Sequence, residues 1–220
     1  MTRLSISKKL KDLFPRLILG VVYANVTVEK SSKELWDLIN KESQKIISEF
    51  TLDKLPSTSG IFELREAYKK LGKSPSRYRG SAEALIRRLL QGKELYRVNN
   101  IVDINNLVSI CSRFPVGSYD IESISFPVQF RIGKKGEKYK GIGKQVINVA
   151  SLPVFCDTDG PYGSPTSDSE KAMIKINTKS IMMVIISFSG ESKINEYLSF
   201  AENLLVKYAH GKEISKLIVR

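Results

Sequence analysis

The sequence predicts an α+β fold: a β-rich central part flanked by helices, held in a single domain over 1–220. Three observations carry that expectation. Helical periodicity comes in blocks, between 31 and 112 and again from 194 to 208, instead of alternating regularly with strands. Between the blocks, residues 116–187 form short runs separated by glycine, proline and serine, the pattern of strands joined by tight turns. A chain of 220 residues with 42% hydrophobic content can bury a sizeable core without needing a second domain.

In chain order, "RLILGVVYANVTV" (16–28) is β-branched and apolar, as a buried strand requires. A helix should follow, with Ser31 as N-cap and Glu34 completing a capping box, and with Leu35, Ile39, Ile46 and Phe50 on one face. "LPSTSG" (55–60) reads as a loop, and "IFELREAYKKL" (61–71) as a helix stopped by Gly72 and Pro75. Ser81 to Leu90 forms another helix, ended by Gly92. "VDINNLVSICS" (102–112) fits either period, with helix favoured. Strands are expected at "PVQFRI", "QVINV", "LPVFCD", "AMIKIN" and "SIMMVIISF". Ile194, Tyr197, Leu198, Ala201, Leu204, Leu205 and Tyr208 then follow helical spacing, with Gly211 as the C-cap.

Composition limits the function. The apolar run "IMMVII" (181–186) is strand-sized and far short of a membrane span. The opening "MTRLSISKKLKDLF" is charged and lacks the apolar core of an export signal. Cys111 and Cys156 make no disulfide framework and, with the single histidine, no zinc pattern. A cytoplasmic location without metal or other cofactor is the expectation. His210 sits at the end of the last helix, where the dipole favours a cation, so a structural role outweighs catalysis. Cys111 has no neighbouring base and reads as core rather than nucleophile. There is no Walker loop, and "GIGKQVI" (141–147) holds only a fragment of a dinucleotide fingerprint.

The formal net charge of +12 points to polyanionic partners. The excess is clustered. Residues 65–97 carry Arg65, Lys69, Lys70, Lys73, Arg77, Arg79, Arg87, Arg88, Lys93 and Arg97 against Glu66, Glu83 and Glu94. "GKKGEKYKGIGK" (133–144) sets five lysines against Glu137. Glu83 and Arg87, at i and i+4, read as a surface pair. Arg77 and Arg79 precede a helix at its positive end, which leaves them for phosphate contact or for carboxylate partners that fix the fold. Tyr78 between them offers a stacking surface. Arg77, Arg79, Lys134 and Lys135 are the RNA-facing candidates.

"DTDGPYGSPTSDSEKAMI" (157–174) gathers Asp157, Asp159, Asp168 and Glu170 among hydroxyls and glycines. It is open to two readings: a surface loop rich in turn-formers, or the wall of a site for a polar substrate.

Three ordered stretches add a resemblance. "AYKKLGKSPSRYRGSAEALIRRLLQGKELYRVNNIVDINNLVSI" (67–110), "PVGSYDIESI" (115–124) and "SDSEKAMIKINTKS" (167–180) together resemble the editing domain of the phenylalanyl-tRNA synthetase β subunit, over about 60–190. More closely, they resemble free-standing proteins built from that domain alone. The resemblance implies a mixed α/β unit that hydrolyses tyrosine wrongly attached to the phenylalanine tRNA. It also implies a site between "VDINN" and the 157–174 loop. The family's V-D-x-T-N falls on Val102, Asp103, Asn105 and Asn106, with Asn105 replacing threonine. Its hydroxyl-reading glutamate falls on Glu170, where a carboxylate would accept a phenol bond that phenylalanine cannot offer.

The implied pocket is Asn105, Asn106, Gly117, Ser118, Asp168 and Glu170, without an assigned catalytic residue. One departure stands out: the family's H-A-F-D is Gly117-Ser118-Tyr119-Asp120 here, so the pocket histidine is missing and glycine is expected to widen the pocket. The implied activity is a free-standing aminoacyl-tRNA deacylase that engages the aminoacyl end and acceptor arm of tRNA. At this length the chain is not expected to be an aminoacylating ligase. The rival is a non-catalytic module of the same fold that binds tRNA, other RNA or an aromatic amino acid.

Overall fold

The computed structural model describes residues 4–143, 145–190 and 193–220, so Lys144 of the second lysine cluster lies outside the described residues. Strand β1 (Leu4–Ile6) and helix α1 (Lys8–Leu13) lead into β2 (Ile18–Asn25). Four helices follow: α2 (Lys33–Glu49), α3 (Ile61–Lys70), α4 (Ser81–Leu90) and α5 (Asn100–Ser112). Then come β3 (Val116–Asp120), β4 (Val128–Ile132), β5 (Lys138–Lys140), β6 (Val146–Asn148), β7 (Pro153–Asp157), β8 (Gly160–Gly163) and β9 (Ser180–Ser187). Helix α6 (Ile194–Ala209) and strand β10 (Lys212–Val219) close the chain. The α+β reading holds.

The strands form a sheet ordered β10-β2-β9-β3, a second ordered β1-β4-β7-β8, and the hairpin β5-β6. In the first sheet every neighbouring pair is antiparallel. Its side chains sort by the period of two. Ile181, Met183 and Ile185 of β9, with Ile18, Val22 and Val116, pack against α2, α4, α5 and α6. Met182, Val184 and Ile186, with Leu19, Val21 and Tyr119, pack against the second sheet and α3 through Phe130, Val154, Phe155, Tyr162 and Leu64. The first sheet is thus buried on both faces, which explains why β2 and β9 read as continuous apolar runs. Gly20 lets α6 lie close on β2, since a Cβ there would meet Ile194 Cγ1 at 2.9 Å.

Several local expectations are corrected. The cap of α2 is Ser32, whose Oγ accepts from Leu35 N, while Ser31 is drawn off to bond Asp103. "AMIKIN" is not a strand: Ala172 ends a 3-10 turn, Ile176 is 76% exposed, and Thr178 Oγ1 accepts from Lys175 N. His210 itself, at φ 51°, takes the left-handed turn after α6, with its side chain mostly exposed and 3.6 Å from Glu29. "LPSTSG" contains a 3-10 turn over Leu55–Ser57. Finally, 157–174 is no plain surface loop, because it holds β8 and the 3-10 turn Glu170–Ala172.

Candidate functional site

Strand β3 is an edge of the first sheet, paired with β9 on one side. Its alternation separates the predicted pocket residues. Ser118 points to the helical layer and donates to Asn105 Oδ1 of α5 at 2.9 Å, and Asn105 in turn reaches Asn106 at 3.5 Å. Gly117 faces the second sheet instead, on the side of Tyr119. Asp168 belongs to that second side, where Tyr119 donates to its Oδ1 at 2.9 Å and Ser164 N approaches it at 3.3 Å. Glu170 follows on the same loop, and its carboxylate is paired with Lys140 Nζ of β5 at 2.9 Å. The six residues therefore lie as two small polar groups on opposite faces of β3, with Glu170 held toward the β5-β6 hairpin.

The expectation that Gly117 widens the site is overturned. A Cβ at position 117 would lie 2.3 Å from the Tyr119 hydroxyl oxygen and 2.7 Å from Cζ. A Cβ at Gly163 would lie 2.5 Å from the same oxygen. The two glycines thus make the slot that a fully buried Tyr119 fills, with its ring edge-on to Tyr162 and Phe155. Relative to the H-A-F-D pattern, the losses and gains are coupled: the side chain missing at 117 and the hydroxyl present at 119 use one volume. Burial and the Asp168 charge hold the Tyr119 phenol well above its ordinary range, so it is a hydrogen-bond donor and not a base.

The loop carrying Asp168 is held by side chains the sequence reading did not single out. Tyr68 meets Thr166 at 2.6 Å, Tyr139 bonds the Ser167 carbonyl, and Ser164 Oγ donates to the same carbonyl at 2.8 Å. Helix α4 starts against this loop through Ser81 N to Pro165 O at 2.8 Å. Asp103, the acid of "VDINN", is also structural. It is buried and accepts from Ser31, Trp36 Nε1 and Val98 N. Burial pushes its carboxyl above the usual range while those bonds pull the other way. Its neighbour Asn100, fully buried, uses both ends of its amide to tie Thr27, Glu29 and Tyr208 together. Buried polar residues inside an apolar helix were the available signal for these anchors.

The basic stretches divide in the same way. Glu83 is not a surface residue: its side chain is 2% exposed. It accepts from Arg65 at 2.9 and 3.0 Å and from Arg87 at 2.9 Å, with Arg79 at 3.9 Å. Arg79 keeps 45% of its side chain exposed, and the exposed Arg77 stacks near Tyr78 at 5.7 Å. Lys134 and Lys135 stand exposed at the turn after β4, where Glu137 accepts Lys134 N and both terminal nitrogens of Arg131. Among the described residues no group of three or more His, Cys, Asp or Glu is disposed to hold a metal, and no helix is long and apolar enough to cross a membrane.

No curated protein matches this chain. Among solved structures, an N-terminal fragment of the phenylalanyl-tRNA synthetase beta-subunit from Pyrococcus horikoshii is similar over 99% of this chain, with a TM-score of 0.47 and 13% identity. The chain covers 54% of that fragment, about half its length. The family model described as "B3/4 domain" matches residues 63–211, a span that runs from within α3 to just past the end of α6 and takes in β3, Asn105, Asp168 and Glu170. With more than half of its length matched, the chain belongs to the B3/4 domain family.

Proposed function

We propose that this chain is an aminoacyl-tRNA deacylase that edits mischarged tRNA in trans. The observation that supports this reading is the family match over 63–211, which includes the polar residues flanking β3. The chemistry asks little of side chains. An aminoacyl ester is already activated: water adds to the carbonyl, the bond to the ribose oxygen breaks, and the proton ends on that oxygen. Donors that orient the water and stabilise the developing oxyanion suffice. On this reading the aminoacyl end lies over the edge of β3, with Ser118, Asn105 and Asn106 toward the helical face and Asp168 and Glu170 toward the second sheet, while Gly117 seats Tyr119. Arg77, Arg79, Lys134 and Lys135 hold the acceptor arm, and the setting is cytoplasmic.

The second reading, a non-catalytic tRNA-binding module, is favoured by one observation: Tyr119 fills the volume left free at Gly117. The two are separated by release of free amino acid from charged tRNA. A deacylase releases many equivalents per protein, and Glu170→Gln shifts its ranking of side chains. A binder releases none and protects the ester, and that result overturns the deacylase.

A further inference from the structure

The exposed face of α4 carries a second feature, of which the deacylase reading uses Arg79 alone. Between α4 and the segment after it lies a cleft of about 320 Å³ lined by Arg79, Arg87, Arg88, Gln91, Lys93 and Tyr96, floored by Ala84 and Leu85. That volume is at the small end of ligand sites, which run to about 300–1,000 Å³. Four of its lining residues are cationic and none is acidic. The carboxylate of Glu83 is buried beneath and holds Arg87 in place at 2.9 Å. Tyr96 is 60% exposed, and the Arg88 guanidinium lies against it, 3.9 Å from the ring centroid, while donating to its hydroxyl at 3.0 Å. Arg87 and Arg88 in the last turn complement the helix dipole, but the dipole gives no reason for an exposed aromatic ring or for Lys93 beyond the helix end.

We propose that this cleft binds one unpaired nucleotide of an RNA strand, with its base stacked on the Tyr96–Arg88 platform and its flanking phosphates met by Arg79 and Lys93. Ring stacking with adjacent cations is the recurring chemistry of single-strand binding, and it uses every unexplained feature of the cleft. An acidic peptide would use the charges and leave the ring idle. The inference rests on the proposed function only in taking RNA as the ligand; it requires no ester hydrolysis.

The test uses the full chain with a labelled single-stranded RNA oligonucleotide and with uncharged tRNA, titrated at several salt concentrations. Tyr96→Leu should weaken oligonucleotide binding about 5- to 150-fold, the equivalent of one lost stack, without changing the salt slope. Lys93→Gln, a cleft residue with no part in the acceptor-arm proposal, should lower the slope by about 1, as a lost phosphate contact requires. Both changes are at exposed side chains, so an unchanged thermal midpoint is expected to accompany them. Wild-type affinity and slope in both variants would overturn the cleft, as would polyglutamate competing as well as RNA does. Ester release measured alongside keeps the two ideas apart. Altered binding in the variants with no hydrolysis by wild type would leave the cleft standing and remove the deacylase; hydrolysis by wild type with unaltered binding would do the reverse.

Discussion

The Tyr119 hydroxyl lies where a side chain at position 117 would begin, and this makes two substitutions interdependent. Gly117→Ala should destabilise the protein by about 1–3 kcal/mol through overpacking, because a fully buried ring has nowhere to move. Tyr119→Phe removes the obstructing oxygen, so the cost of Gly117→Ala should be smaller when Tyr119→Phe is already in place, a non-additivity readable in urea denaturation. Equal costs in both backgrounds would contradict the shared volume. The cysteines give a second residue-scale expectation. Burial pushes the Cys111 and Cys156 thiols each up to about 12, which leaves a thiolate fraction at pH 8 on the order of one part in ten thousand. Thiolate is the reactive form, so labelling should stay slow at pH 8 and accelerate as pH rises toward those values. Native protein should consume little of a disulfide reagent at pH 8 in the time that denatured protein titrates both thiols. Rapid native labelling of Cys111 would contradict its reading as an unreactive core residue.

At the scale of elements, α4 is organised around one buried carboxylate. Glu83→Ala leaves Arg65 and Arg87 without their shared partner. The expected loss is about 3 kcal/mol, the low end for a broken buried pair, because both arginines are partly exposed and rehydrate. A loss below that of an ordinary surface pair, measured by chemical denaturation, would return Glu83 to the surface role its i,i+4 spacing suggested. That spacing was legible in the sequence; its burial was not, because Arg65 comes from another helix. The same division runs through the fold. Helix α6 was readable from seven apolar positions on one face, and β9 from its apolar run. Strand β1 has three residues, and β10 is largely exposed with weak alternation, so neither left a usable pattern. "AMIKIN" alternates like a strand, but its Ile176 faces solvent and its backbone turns on Thr178. The candidate site came from the sequence as a list of residues, without their placement in space. Which face of β3 each residue takes depends on a second sheet that local sequence does not announce.

Across the whole molecule, a three-layer arrangement of helices, sheet and sheet leaves the polar residues flanking β3 at a sheet edge, with exposed cations on the α4 side and at the β4–β5 turn. On the proposed function, RNA binding by a chain with a surplus of +12 is expected to be steeply salt-dependent, with the named arginines and lysines setting the slope. The deacylase reading stands or falls on turnover. The deciding measurement is release of amino acid from a panel of correctly and wrongly charged tRNAs, tyrosine on the phenylalanine tRNA included, with protein well below substrate. The account predicts multiple turnovers on a mischarged species and little on its correctly charged counterpart. No release from any member of the panel, with tRNA still bound, would contradict it and leave a binding module whose Tyr119 occupies the site.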